Sequence, residues 1–278
     1  SAQTLLAKIY LTRASMAKRN GTGDGLADFQ KAAEHAQEVI DQGTYSLNAY
    51  YPDAFSIENK NNNEIVFDVQ HKSGGVDEGT IIGMQMGLMG SWKDGGSWGN
   101  LHATDYYHTI FESTDIVRKD WNSPHGRVRV SNGVTWIGSK SGYAEQESEM
   151  GGDKWKIGKF RRYPMRHADN NRDDWAIHWP VFRYSEVLLI KAEALNEVND
   201  GADVDGGIFG SLNELRARVR NVNVMLPNGN GIHDDILPRV LTIDNMILPD
   251  ISAAEYPNYE VLSQYIMDER ARELGGET

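Results

Sequence analysis

Apolar residues return at helical spacing near both ends of the chain and lose that spacing in the middle. Leu5, Leu6, Ile9 and Tyr10 share one side of a first predicted helix, which stops before the turn-rich NGTGDG at 20–25. Phe29, Ala32, Ala33, Ala36, Val39 and Ile40 then fall at i, i+3, i+4, i+7, i+10 and i+11, with Asp28 placed to cap the start and Gly43 placed just past the end. In NEIVFDVQH at 63–71, Ile65, Phe67 and Val69 alternate with Glu64, Asp68 and Gln70, the pattern of a half-buried strand. From 72 to 103 glycine is too frequent for regular structure, and a short helix is expected in TDYYHTIFES at 104–113. RVRVSNGVTWIG at 127–138 predicts a hairpin that turns at Asn132-Gly133 and carries Trp136 on its return strand. After an irregular stretch to about 175, RYSEVLLIKAEALNEV at 183–198 is a long run of good helix formers. Ile208, Leu212, Leu215 and Val219 repeat at i, i+4, i+7 and i+11, with the arginines expected on the other face, and EVLSQYIMDERAREL at 260–274 closes the pattern.

The paired alanines of the second helix, set against Ala7 and Tyr10 of the first, have the character of a tetratricopeptide-like hairpin, in which small residues let helices approach closely. The expected fold is therefore mainly α. Tetratricopeptide-like helical hairpins carry an irregular loop-rich subdomain with short β-strands and a hairpin. The division expected is a helix pair at 1–47, a loop-rich ligand-binding subdomain at 48–180, and C-terminal helices of the scaffold at 181–278.

Composition narrows the function classes. With 278 residues, 40% of them hydrophobic, the chain can bury a sizeable core. No run of eighteen apolar residues suggests a membrane span. A formal charge of −12 disfavours nucleic acid and bare anionic lipid as partners. The absence of cysteine removes disulfides, thiolate metal sites and cysteine nucleophiles. The chain begins inside a helical pattern and ends at RELGGET, as a portion of a longer protein would.

Catalytic motifs are few. Gly95-Gly96-Ser97-Trp98-Gly99 fits the G-x-S-x-G nucleophile elbow formally, but that motif needs a strand before it and a helix after it, and here it sits in a glycine-rich loop. Carboxylate pairs such as Asp173 with Asp174 or Glu145 with Glu147 read as solvated loop residues. Asp203-Val204-Asp205-Gly206 fails the EF-hand count, leaving at most one loop-stapling structural calcium; no other metal or cofactor is expected.

Six stretches in order carry a resemblance: FQKAAEHAQEVIDQGTYSL, NEIVFDVQ, GGSWGNLHATDYYHTIF with STDIVRKD, RYSEVLLIKAEALNE, LNELRARV and DERARELGGE. Together they resemble the C-terminal portion of the SusD/RagB family, the surface glycan-binding lipoproteins of Bacteroidetes. The family's Asp-Pro-Arg is replaced by Asp115-Ile116-Val117-Arg118, and Gly275-Gly276 stands where the family usually has Ala-Phe. The resemblance implies a non-catalytic protein that captures oligosaccharide or polysaccharide at the cell outer membrane and partners a SusC-like TonB-dependent transporter. Membrane association would come only through an N-terminal lipid absent from this chain. Arg183, Glu186, Glu193, Arg216, Glu269 and Arg270 belong to the motifs that define it, and such charges at helix contacts are expected to be paired and structural.

A glycan site wants exposed aromatic rings to stack on sugar C–H faces, with polar side chains beside them. Trp92, Asp94, Trp98, Asn100 and Tyr106 supply that mixture, with His102 and Tyr107 nearby. Trp155, Trp175 and Trp179 are assigned mainly to packing. The rival reading is a helical-repeat protein–protein interaction scaffold without glycan binding, in which the helical faces would carry the exposed apolar residues.

Overall fold

The computed structural model describes residues 2–75, 77–87, 97–124, 128–131, 134–137, 155–160, 174–220 and 248–277. Trp92 and Asp94, the Asn132-Gly133 turn, Asp173, Glu145 and Glu147 lie outside the described residues.

Two helices, α1 (Ala2–Arg19) and α2 (Leu26–Asp41), form the first hairpin. The buried face of α1 is Thr4, Ala7, Leu11 and Ala14, with Ala7 toward the alanines of α2 as the sequence suggests, whereas Leu5, Leu6 and Ile9 point outward. The reason lies in α2, whose inner face is largely Ala32, Ala33 and Ala36. Small residues on both helices bring the backbones together, and the bulky side chains of α1 are turned away. Gly25 fits the same close approach: at φ +73° a Cβ there would lie 2.7 Å from the Ala14 carbonyl oxygen. Asp28 does not cap α2. Its carboxylate accepts two hydrogen bonds from Arg13 instead, while the amide of Leu26 donates to Asp24 Oδ1. Gly43 takes the expected left-handed conformation past the helix end, with φ +61°.

The scaffold continues with α6 (Tyr184–Val198), α7 (Gly207–Arg218) and α8 (Tyr259–Leu274). α2 packs on α6, and α6 packs on α7 and α8. α6 is buried nearly all round, from Tyr184 to Asn196, as a helix between neighbours must be. Its Val187, Leu188 and Leu189 join Phe29, Leu212, Leu262 and Ile266 in one core. The carboxylate of Asp203 accepts from the amides of Ile208 and Phe209, satisfying free donors in the first turn of α7. The arginines of α7 correct another expectation: Arg216 and Arg218 are 1% and 5% exposed rather than on a solvent face.

A second core gathers Tyr51 and Phe55 from a 3-10 turn (Tyr51–Phe55), Trp121 from α5 (Ile116–Asn122), Phe160, Trp175 and Ile177. Trp179 stacks on Phe160 and Trp155 on His108, so these tryptophans serve packing. Strand β1 (Ile65–Val69) runs antiparallel to β4 (Trp179–Arg183) with two register irregularities, and these break the expected alternation. Ile65 and Val66 are buried, Glu64 is fully buried, and Phe67 and Val69 face solvent. Strands β2 (Val128–Ser131) and β3 (Val134–Ile137) pair as the predicted hairpin. The short helices α3 (Ile82–Gln85) and α4 (Asp105–Thr109) stand before and after the irregular described stretch 97–104. Among the described residues no helix is long and apolar enough to cross a membrane.

Candidate functional site

Two places concentrate polar chemistry, and they differ in kind. The first is a buried charge network at the junction of the helical scaffold and the second core. Arg183 donates through Nε and Nη2 to Glu277 at 2.8 and 2.6 Å, and through Nη1 to Glu273 at 3.1 Å and to Glu64. Arg218 reaches the same Glu64 and Glu273. Arg118 donates to Asp115 at 2.8 Å and to Glu269 at 2.6 Å, and Arg272 reaches the other oxygen of Glu269. Lys159 completes the set with 2.8 Å to Glu277.

The cations Lys159, Arg118, Arg183, Arg218 and Arg272 thus match the carboxylates Glu64, Asp115, Glu269, Glu273 and Glu277 one for one, so the network is neutral overall. Burial alone would push the carboxyls of Glu269 and Glu273 up, but the arginines outweigh it. Arg118 and Arg272 hold Glu269 below its ordinary value, and Arg218, Arg183 and Arg118 hold Glu273 well below its own. Asp115 goes the other way, raised by burial despite Arg118. Burial brings the Lys159 ammonium down to about 8. Every member is engaged by another, although Asp115 Oδ1 and Arg218 Nε have no hydrogen-bond partner among the described residues, and the pairing makes the network a buried clamp between segments far apart in sequence.

The remaining motif charges are paired as well. Glu186 lies 2.6 Å from Lys8 and 3.6 Å from Arg270, and Glu193 lies 3.3 Å from Arg270 without hydrogen-bond geometry. Arg216 donates to Glu112 and to the Tyr265 hydroxyl. Sequence reasoning missed Glu64, Lys159, Arg218, Glu273 and Glu277 as partners. Glu64 carried a misleading signal, because its place in an alternating strand marked it as exposed.

The second place is the surface built by 97–106. The loop is threaded between two segments: the amide of Trp98 donates to Met84, Leu101 to Gln85 and Ala103 to Trp155, while Ile157 donates back to Leu101. Lys156, 1% exposed, sends its ammonium to the Gly99 carbonyl at 3.0 Å and sits 2.6 Å from His102 Nε2, tying the two ends of the loop beneath its outer face. Trp98 is displayed, 38% exposed, and Asn100 beside it donates to Gln85 Oε1 at 2.9 Å. Tyr106 is 61% exposed but belongs to a different element contact, its hydroxyl donating to Asp268 of α8 at 2.9 Å. Of the sequence-predicted site residues, the structure brings Trp98 and Asn100 onto one loop and sets Tyr106 against α8. Gln85 and Lys156 were missed, since no local motif announces contacts to residues 15 and 57 positions away.

Ser97 does not stand on a nucleophile elbow. It is 4% exposed, its Oγ accepts from the Gly99 amide at 3.1 Å, and no helix starts directly after it, α4 beginning only at Asp105.

An α-helical repeat scaffold with a charge clamp and a loop-borne aromatic surface defines the class. The sequence profile of the SusD family matches residues 63–278, and the chain belongs to that family. It is 29% identical over 238 residues to SusD-like protein P2 of Formosa agariphila, covering 79% of this chain and 41% of that protein. A SusD homolog from Bacteroides thetaiotaomicron superposes with a TM-score of 0.68 at 20% identity, over 99% of this chain and 50% of that one. Surface glycan-binding protein A from the same species, solved in complex with laminarihexaose, gives a TM-score of 0.60 at 16% identity, covering 98% and 52%. The chain thus spans about half the length of the relatives it matches.

Proposed function

We propose that this chain binds oligosaccharide or polysaccharide without cleaving it, as part of a protein at the outer-membrane surface that passes glycan to a SusC-like TonB-dependent transporter. Family membership supports the class, and one observation carries the site: Trp98 is displayed beside Asn100 and Gln85 on a loop fixed from below by Lys156. An indole face supplies the stacking surface and neutral amides supply hydrogen bonds to hydroxyls, with no carboxylate among these four groups. Trp92 and Asp94 join the proposal on chemistry alone, and Tyr106 as an outlying contact. In this reading the 48–180 segment builds the ligand surface and the helices hold it.

The test is a glycan array that includes laminarihexaose, probed with the full polypeptide and with its Trp98→Ala variant, followed by product analysis of any glycan retained. Binding that falls with Trp98→Ala, and no products, is the expected result. Retention of all binding in the variant moves the site elsewhere, and released oligosaccharide defeats the non-catalytic reading.

A further inference from the structure

Residues 155–160 form a strap that joins the two places described above. Its backbone is bonded along both edges. Toward the loop, the Trp155 carbonyl accepts from Ala103 at 2.9 Å, the Ile157 amide donates to Leu101 at 3.2 Å, and the Ile157 carbonyl accepts from Gly87 at 2.7 Å. Toward the end of α5, the amides of Lys156 and Gly158 donate to Pro124 and Asn122 at 2.9 and 3.1 Å. Lys156 lies under the loop, and three residues on the strap enters the clamp at Lys159. The buried ammonium of Lys159 donates to Glu277 at 2.8 Å and to the Glu273 carbonyl at 2.7 Å, and its own carbonyl accepts from Trp121 Nε1 at 3.3 Å. Next to it Phe160 meets Phe55 edge-on and stacks on Trp179. One end of the strap is therefore fixed to the scaffold, and the other supports the displayed ring.

Packing alone does not ask for a charge at 159. The rings of Phe55 and Tyr51 have their centroids 5.5 and 5.9 Å from the ammonium, and an apolar side chain would fill such a space without the cost of burying an ion. What an apolar side chain lacks is direction. Two acceptors near residue 278 hold the ammonium within the narrow range of a hydrogen bond, and three residues of chain span at most about 10 Å, so a displacement at Lys159 reaches Lys156 with little slack.

We infer that Lys159 is a positioning residue for glycan binding: by tying the 155–160 strap to the end of α8, it sets where Lys156 holds the loop that displays Trp98. This rests on the glycan-binding reading given above and adds to it a route by which the closed clamp governs the open surface. Arg183 shares Glu277 with Lys159, but removing Arg183 leaves both acceptors of Lys159 in place.

The charged groups facing Lys159 are Glu273 and Glu277 near residue 278 and Arg183 of β4, with Glu64 and Arg218 behind them; Tyr51, from the 3-10 turn, shares the Glu273 carbonyl. Burial brings the ammonium down to about 8 against the pull of Glu277 and Glu273, and Arg183 adds to the lowering. The folded value lies below the ordinary 10.5, so above about 8 the unfolded chain holds more protons at this group, and its contribution to stability rises with pH. Affinity should move the other way, because the neutral amine no longer forms an ion pair with Glu277. Opposite signs separate a positioning lysine from a merely structural one.

The test uses the full natural polypeptide and compares wild type, Lys159→Met and Arg183→Ala. Hydrogen exchange at the amides of Leu101, Ala103 and Ile157 needs no ligand, and affinity is read by isothermal titration against a glycan retained on the array, with laminarihexaose the first probe. In Lys159→Met the three amides should exchange at least about tenfold faster while those of Ala33 and Ala36 in α2 keep their rates, and affinity should fall about threefold or more. Arg183→Ala should keep wild-type affinity. Wild-type affinity should decline between about pH 7 and 9, a decline absent from Lys159→Met and moved to lower pH in Glu277→Gln, since Glu277 raises the lysine. Should Lys159→Met not fold, the wild-type profile and its displacement in Glu277→Gln decide the matter. Unchanged exchange and affinity in Lys159→Met overturn the inference, as do a uniform acceleration of all amides, an equal loss of affinity in Arg183→Ala, or a pH profile that is flat in the wild type. If no glycan binds, the role in binding falls with the functional reading, and locally faster exchange then shows that the reading failed and not the coupling of strap to loop.

Discussion

The charge clamp and the 97–106 surface both gather polar groups, yet the first is closed and the second is open. In the clamp Arg118, Arg183 and Arg218 meet carboxylates from other segments: Arg183 of β4 binds Glu64 before β1 and Glu273 and Glu277 near residue 278. In the loop, Asn100 spends one amide hydrogen on Gln85, and the Trp98 ring is left partly in water. Desolvated charges that are each paired fix geometry; half-satisfied amides beside an exposed ring can still take a ligand. On the proposed reading perturbed ionisation does not point to the ligand surface, because the strongly shifted groups are clamp members or the buried and half-buried Tyr51, Tyr107, Tyr184, Tyr265 and Arg216.

That contrast breaks most visibly at Arg183. Arg183→Ala would leave Glu64, Glu273 and Glu277 short of a partner at zero or near-zero exposure, which costs about 3–5 kcal/mol. Chemical denaturation should show a much lower midpoint, while the protein that remains folded binds glycan as before. An unchanged midpoint would mean that the clamp contributes nothing net.

Acid should act through the same residues. Glu269 and Glu273 have folded values below the ordinary 4.5, so their contribution is complete above 4.5 and is lost as pH falls below it. Asp115 and Glu193 are raised and act in the opposite sense, gaining stability as they protonate earlier in the folded state. With Glu273 held by three arginines, the net expectation is a urea midpoint that declines between pH 5 and pH 3, roughly the window of carboxylate titration. Glu273→Gln should decline less steeply over that window. Parallel slopes for variant and wild type would refute the assignment.

Much of the scaffold was legible in the sequence because helices announce themselves locally. Phe29, Ala32, Ala33 and Ala36 mark α2 by spacing alone, and the 183–198 run marks α6. What failed was facing. The shared side of Leu5, Leu6 and Ile9 did not tell which way it faces; the alanines of α2 select Ala7 and Ala14 for the contact, a choice set by a second helix. Phe67 and Val69 failed likewise, since the register irregularities of β1 against β4 lie in the pairing and not in either strand's composition. At the site, Trp98 and Asn100 could be nominated by side-chain chemistry. Gln85 and Lys156 could not, because their roles arise from how the loop is threaded.

The open half of the comparison is sharpened by Trp98→Ala. A sugar stacked on one indole face gains from desolvating it, and truncation should cost about 1–3 kcal/mol of binding, or about one to two powers of ten in Kd. At 38% exposure Trp98 contributes little to either core, so the melting temperature should hold. Isothermal titration against whichever glycan the array identifies reads the first quantity and calorimetric melting the second. A loss of stability without a loss of affinity would return Trp98 to packing.

The smallest effect is expected at Ser97, and its size is what makes it informative. The G-x-S-x-G spacing invites a hydrolase reading, in which Ser97→Ala would abolish turnover. The described geometry points elsewhere: Ser97 is 4% exposed, and its Oγ accepts the Gly99 amide, steadying the turn that carries Trp98. Losing that acceptor costs about 0.5–1.5 kcal/mol of stability, the net worth of one ordinary hydrogen bond. Some slackening of the turn should follow, with affinity for the glycan changed by no more than about threefold. Product analysis on long incubation should show no cleavage for either protein. Cleavage by the wild type that disappears in Ser97→Ala would erase the distinction between a closed structural half and an open binding half, because the loop would then be doing chemistry.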